Sequence, residues 1–256
     1  MRGAWRSREA ELARKTVIVT GASRGIGAAT AVACAQSGAA RVMMLARSAG
    51  DLATTAKAVA AAGSEPMPRV CDVTDRVALA QAVEELADVD VLVNCAGANQ
   101  PEPFAEVDEV TFDRLWQLNV GATFFASQAV VRRMLADERG GVIVNISSQM
   151  GHVGAANRTV YCATKHAVEG LTKALAVELA AHGIRVVSIA PTFVRTAMTE
   201  AQLHNPSTRS DFLQSIPMGR FANPEEVADA VVFAASERAA LFTGSSLRLD
   251  GGWTAK

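Results

Sequence analysis

The chain has 256 residues, half of them hydrophobic by count, and a formal net charge of -1. That length supplies a substantial core for one large α/β domain, and the near-neutral charge leaves no footprint for nucleic acid. No apolar run reaches the roughly 18–20 residues of a membrane span.

The first residues carry charges but no apolar h-region, so residues 1–11 are expected to form a flexible tail rather than a signal peptide. A β-branched strand follows over Lys15–Thr20, and Gly21-Ala-Ser-Arg-Gly-Ile-Gly27 turns at once into a helix over Ala28–Ser37. Arg41–Ala46 reads as the second strand, Leu52–Ala62 as a helix and Met67–Cys71 as the third strand. Asp72-Val-Thr-Asp75 caps a helix over Arg76–Ala87. Val89–Val93 is the fourth strand and ends in Asn94-Cys-Ala-Gly97; a long helical stretch then runs from Asp108 to Leu135, with a bend near Gly121. Gly141–Ser147 is a fifth strand, Tyr161–Ala181 a helix closed by Gly183, and Ile184–Ala190 a sixth strand ended by Pro191. An irregular, partly helical insert spans 192–221. Asn223 and Pro224 then open a helix, and Leu247–Leu249 is a last strand. Alternating helices and near-continuous apolar strands imply a parallel sheet covered on both faces. No internal repeat or linker divides it, so one domain is expected over 12–256.

The chemistry centres on Ser148, Tyr161 and Lys165. Tyr161 and Lys165 stand at i and i+4, one turn apart on one helix face, and Ser148 sits at the C-terminal end of a strand, where open α/β sheets place their sites. A free phenol titrates near 10, too high for neutral acid–base work, and a neighbouring ammonium is expected to lower it. Such a trio suits proton transfer to or from a carbonyl oxygen or alcohol. Tyr-x-x-x-Lys alone is also an ordinary amphipathic helix surface, so the surrounding motifs decide.

The glycine turn after the first strand suits a dinucleotide: the backbone can close on a pyrophosphate and the helix N-terminus offers N–H groups. Its Gly-x-x-x-Gly-x-Gly spacing differs from the general Gly-x-Gly-x-x-Gly fingerprint. Ala46-Arg47-Ser48 after the second strand has no carboxylate for a ribose 2′-hydroxyl. Arg47, with Arg24 in the turn, therefore favours the 2′-phosphate of NADP(H), with NAD(H) as the alternative. Asp72 is placed to accept from the adenine amino group.

In order along the chain, Thr20-Gly21-x-x-x-Gly25-x-Gly27, Asp72-Val73, Asn94-Cys95-Ala96-Gly97, Asn119-Val120, Ser148, Tyr161-x-x-x-Lys165, Pro191 with Val194 and Thr196, and Asp250-Gly251-Gly252 resemble the short-chain dehydrogenase/reductase family. The resemblance covers residues 12–252 and lies with the family's single-domain branch. It implies a Rossmann-type doubly wound sheet of seven parallel strands with helices on both faces. It also implies reversible hydride transfer between a nicotinamide and a carbonyl/alcohol pair.

By carry-over, Tyr161 would be the acid in reduction, Lys165 would lower its pKa and bind the ribose, Ser148 would orient the substrate oxygen, and Asn119 would hold a relay water. The cofactor would meet Gly21, Ser23, Arg24, Gly25, Ile26 and Gly27 at its phosphates. Arg47, Asp72 and Val73 would lie along its adenosine, and Asn94, Ala96 and Gly97 along its channel. Tyr161, Lys165, Pro191, Thr192, Val194 and Thr196 would surround its nicotinamide half. Two positions depart from the family: Cys95 for a second Asn, and Thr192 where a Gly is usual.

For the substrate, Ser148, Met150, His152, Arg158, Tyr161 and Phe193 are the candidates, flanked by Gln149, Asn157, Asn99, Gln100, Thr192 and Met198. This polar mixture points to a small ketone, aldehyde or keto-sugar, with the insert as a lid. The alternatives are an NAD-dependent sugar or polyol dehydrogenase and, in another class, a non-catalytic dinucleotide sensor. A dehydratase or epimerase would need a separate substrate domain. The four histidines lack ligand spacing, so no metal is expected. The cysteines (Cys34, Cys71, Cys95, Cys162) form no Cys-x-x-Cys pair, so reduced, mostly buried thiols and a cytoplasmic location are expected. The family also implies a homotetramer.

Overall fold

Val17 and Val19 pack into one hydrophobic cluster and Ile18 into another, so the first strand, β1 (Thr16–Thr20), divides two cores. The structure is a computed structural model and describes residues 11–203 and 206–255. β2 (Arg41–Ala46), β3 (Glu65–Val70), β4 (Val91–Asn94), β5 (Gly141–Ile146), β6 (Ile184–Pro191) and β7 (Ser246–Leu249) complete a seven-stranded sheet in the order β3-β2-β1-β4-β5-β6-β7. Every pairing is parallel. This is the doubly wound, Rossmann-type architecture expected: continuous apolar strands persist because both sheet faces are covered. β3, at one edge, carries Pro66 and Pro68, which withhold donors from further strand pairing.

The helices are α1 (Gly25–Gln36), α2 (Ala49–Ala61), α3 (Arg76–Glu84), α4 (Glu109–Trp116), α5 (Ala122–Ala136), α6 (Thr159–Leu179), α7 (Ala197–Leu203), α8 (Pro206–Ser215) and α9 (Pro224–Ala235). α1 and α9 cover one face, α3, α5 and α6 the other. The strand order reverses beside β1, where β2 and β4 flank it, and ligands of such sheets bind at that crevice, at the strands' carboxyl ends.

One expectation changes in detail. The long helix is broken between α4 and α5 by a single π-helical turn, Gln117–Gly121, with Asn119 in its middle; such turns concentrate at functional sites. The expected tail lies outside the described residues except for Glu11, whose carboxylate accepts from Arg238 at 2.6 Å, next to a fully buried Leu12.

Candidate active site

The glycine turn between β1 and α1 works by close approach. Gly21 has φ +68°, and a Cβ on it would lie 2.8 Å from the Ala96 Cα; a Cβ on Gly27 would lie 2.2 Å from the Gly21 carbonyl oxygen. The turn thus folds onto itself and onto the segment after β4. Thr20 Oγ1 fastens that segment, accepting from the N–H groups of Cys95 and Ala96 at 3.0 and 3.1 Å.

From this turn an open cavity of about 550 Å³ runs along the sheet's carboxyl end, within the usual range for a small-molecule site. Gly21, Ser23, Arg24, Gly25, Ile26 and Gly27 line one part; Arg47, Asp72 and Val73 another; Ala96 and Gly97 the middle; Ser148, Tyr161, Lys165, Pro191, Thr192, Val194 and Thr196 the far part. Arg24, Arg47 and Asp72 are exposed. Asp72 already accepts from Thr74 N and Oγ1 at 3.0 and 2.7 Å, which holds its carboxyl below the usual range.

A nicotinamide dinucleotide suits these walls. Ser147 Oγ and Thr192 Oγ1 are buried on the lining without a partner among the described residues, and Gly25 and Gly27 put no side chains of their own on the first turn of α1.

Tyr161 and Lys165 share one face of α6, the ammonium 5.6 Å from the ring centroid, and Lys165 Nζ donates to the Ile146 carbonyl at 2.9 Å. Ser148 opens the turn after β5; its Oγ donates to Gln149 Oε1 at 2.9 Å and accepts from Met150 N–H at 3.1 Å. The expected lowering of the phenol does not prevail. Burial pushes Tyr161 up to about 12, against a downward pull from Ser148, while burial pulls Lys165 down to about 8.

Asn119 and Asn94 stand off the lining. Asn119 Oδ1 accepts from Ala98 N–H at 2.9 Å while Nδ2 donates to Ala98 O and Thr164 Oγ1, so its side chain braces the loop after Gly97 against α6. Asn94 Nδ2 donates to Asn145 Oδ1 and Ser127 Oγ, pinning β4 to β5 and α5 beneath the floor.

Four substrate-side expectations also lie off the cavity wall. Met150 and Phe193 are buried with Ile216 and Phe221 in a small cluster that packs against Tyr161, and Phe193 stacks on Phe212 of α8 at 3.9 Å between centroids. His152 turns to Ser246 and Glu169. Arg158 is 8% exposed at the start of α6. Wall residues the sequence reading missed include Asp51, Cys71, Cys95, Ser147 and Thr199; their positions just after strands or at helix starts were the available signal for most of them. Among the described residues no group of three or more His, Cys, Asp and Glu is placed to hold a metal ion, and no helix is long and apolar enough to cross a membrane.

The family described as short chain dehydrogenase matches residues 15–207. Human (Homo sapiens) L-xylulose reductase is 40% identical over 245 residues, covering 95% of this chain and 98% of that protein. The D-threitol dehydrogenase of Mycolicibacterium smegmatis is 40% identical, covering 94% of each chain. A solved structure from Agrobacterium tumefaciens with bound NADP, provisionally assigned as a 2-deoxy-d-gluconate 3-dehydrogenase, aligns with TM-score 0.90 at 38% identity over 96% of this chain and 98% of that one.

Proposed function

The chain belongs to the short chain dehydrogenase family, and on that premise we propose that it interconverts a small ketose and its polyol with NADP(H), as one catalytic domain over 12–256. It is an oxidoreductase that transfers a hydride between a nicotinamide dinucleotide and a carbonyl/alcohol pair. The observation that carries the finer reading is one continuous wall from Arg24 and Arg47 to Ser148, Tyr161 and Lys165. Two exposed guanidinium groups at one end suit a 2′-phosphate. Three proton-handling groups at the other suit carbonyl chemistry. The relatives that reduce L-xylulose or oxidise D-threitol support a polyhydroxylated substrate.

Bound NADPH supplies the hydride. The Tyr161 phenol, held protonated by burial, gives its proton to the carbonyl oxygen. As the phenol loses that proton, the buried Lys165 ammonium offsets the charge left on its oxygen. The Ser148 hydroxyl turns from Gln149 Oε1 to the same carbonyl oxygen and fixes its place. Asn119 keeps the loop after Gly97 and α6 in register; any relay water it serves would sit beside a side chain already bonded at both ends. Met150 and Phe193 pack behind Tyr161, and Arg158, buried at the start of α6, lies off the wall.

Asp51, on the same wall as Arg47, favours the second reading, an NAD-dependent polyol dehydrogenase. Steady-state reduction of ketotetroses and ketopentoses with NADPH and NADH in parallel separates the two. We expect an NADPH preference, and in Arg47→Ala a loss of roughly tenfold to a hundredfold in kcat/KM for NADPH alone. An NADH preference contradicts the cofactor assignment and leaves the catalytic one standing.

Exposed apolar side chains on α4 and α5 (Val110, Phe112, Trp116, Phe124) support a homotetramer. The free thiols of Cys34, Cys71, Cys95 and Cys162 support a cytoplasmic location.

A further inference from the structure

Glu169 lies one turn beyond Lys165 on α6, outside the cavity lining, and only 5% exposed. A carboxylate so far from water needs partners, and it has three. Its Oε2 accepts from Ser188 Oγ of β6 at 2.8 Å, and its Oε1 accepts from Ser246 Oγ of β7 at 3.2 Å. His152 Nε2 stands 3.3 Å from Oε1 and 3.0 Å from Ser246 Oγ. His152 closes the short turn that Ser148 opens, so this one carboxylate ties the Ser148 turn to β6, β7 and the helix of Tyr161 and Lys165. The join is tight: a Cβ on Gly151 would lie 2.9 Å from Ser147 Oγ, 3.0 Å from the Lys165 carbonyl oxygen and 3.1 Å from Glu169 Cγ.

We propose that Glu169 and His152 are positioning residues of the catalytic centre, Glu169 acting through Lys165 and His152 through the turn that carries Ser148. The proposal rests on the reading of Ser148, Tyr161 and Lys165 as the reacting groups. Lys165 is buried, and its one hydrogen-bond partner among the described residues, the Ile146 carbonyl, is uncharged. Burial therefore pulls its ammonium down, and Cys95 and Glu169 act against that pull. Burial pushes the Cys95 thiol and the Tyr161 phenol up to about 12, so both are neutral near pH 7. β6 and β7 present the neutral hydroxyls of Ser188 and Ser246 to the carboxylate, and the Ser148 turn presents His152. On α6 itself, His166 is exposed and bonded to the Cys162 carbonyl. Glu169 is thus the negative charge that keeps Lys165 cationic where Tyr161 needs it.

The chain has five lysines, so the Lys165 side chain can be followed by NMR in lysine-labelled protein and assigned with Lys165→Arg. In Glu169→Gln we expect its titration midpoint to fall by about one pH unit, with the alkaline limb of reductive kcat falling by the same amount. Glu169→Asp, which keeps the charge, holds both near the wild-type values. Ser188→Ala, which removes a hydrogen bond and no charge, lowers the melting temperature and leaves the midpoint in place. If Glu169→Gln does not fold, the volume-matched Glu169→Met removes the same charge and is read the same way. An unmoved Lys165 midpoint overturns the role of Glu169, whatever the enzyme turns over. For His152→Gln we expect a roughly tenfold lower kcat with the KM for NADPH unchanged; an unchanged kcat overturns the role of His152. Failure of the wild type to reduce any carbonyl would sink the functional reading instead, and the NMR midpoints would still decide the charge coupling.

Discussion

Tyr161 and Lys165 shift in opposite directions for one reason. Burial penalises the charged form of each, which is the base form of a phenol and the acid form of an amine. The sequence placed the two side chains on one helix face but gave no measure of how dry that face is, so it anticipated a lowered phenol where the structure raises it. The pH dependence follows. Tyr161 stays protonated through neutral pH. Lys165 carries its charge below about 8 and loses it above. Reductive kcat should therefore hold level toward pH 7 and decline as pH rises through about 8. A rate that climbs across that window would contradict the assignment of Lys165. His152 shows the other limit of residue-level reading. A lone histidine in a loop carries no hint of Glu169 or of Ser246, 94 positions away, because only tertiary packing brings them together.

Turns set the site more than regular elements do. The glycine turn after β1 was readable because its positive-φ positions, Gly21 and Gly25, admit few residues other than glycine. At Gly27 an added methyl would meet backbone atoms of Gly21 that cannot move aside cheaply. Gly27→Ala should cost about 1–3 kcal/mol of stability by denaturant unfolding and weaken NADPH binding at least roughly tenfold by calorimetry. A variant that binds NADPH as wild type does would show that the turn does not cradle the phosphates. The π-helical turn at Gln117–Gly121 was invisible to periodicity, since one widened turn barely disturbs an apolar stripe. It nonetheless sets where Asn119 meets Ala98 and Thr164. Asn94 was likewise assigned to the channel from its motif, whereas β4 turns its side chain toward Asn145 and Ser127, into the layer beneath.

At the scale of the molecule, strand order places everything. β1 lies between β2 and β4, so the glycine turn, Arg47, Asp72 and Gly97 converge on one edge although they span much of the first half of the chain. That convergence was inferable from alternating strands and helices; how the insert beyond β6 docks was not, because the Phe193–Phe212 stack joins an irregular loop to a polar helix. The apolar stripe of α4 and α5 bears on assembly. Light scattering should give a tetramer for the wild type, and Phe112→Glu/Trp116→Glu should dissociate it; a monomeric wild type contradicts that proposal. The proposed function turns on one role, Tyr161 completing a reduction that begins with hydride transfer on this wall. It is tested most directly by a single turnover with NADPH deuterated at the transferable position and a ketopentose, followed by mass spectrometry of the product. We expect a polyol carrying one deuterium on the new carbinol carbon, and in Tyr161→Phe the same NADPH affinity with product formation at least about a thousandfold slower. Unlabelled product, or a Tyr161→Phe variant that reduces the ketose as fast as the wild type, would contradict it.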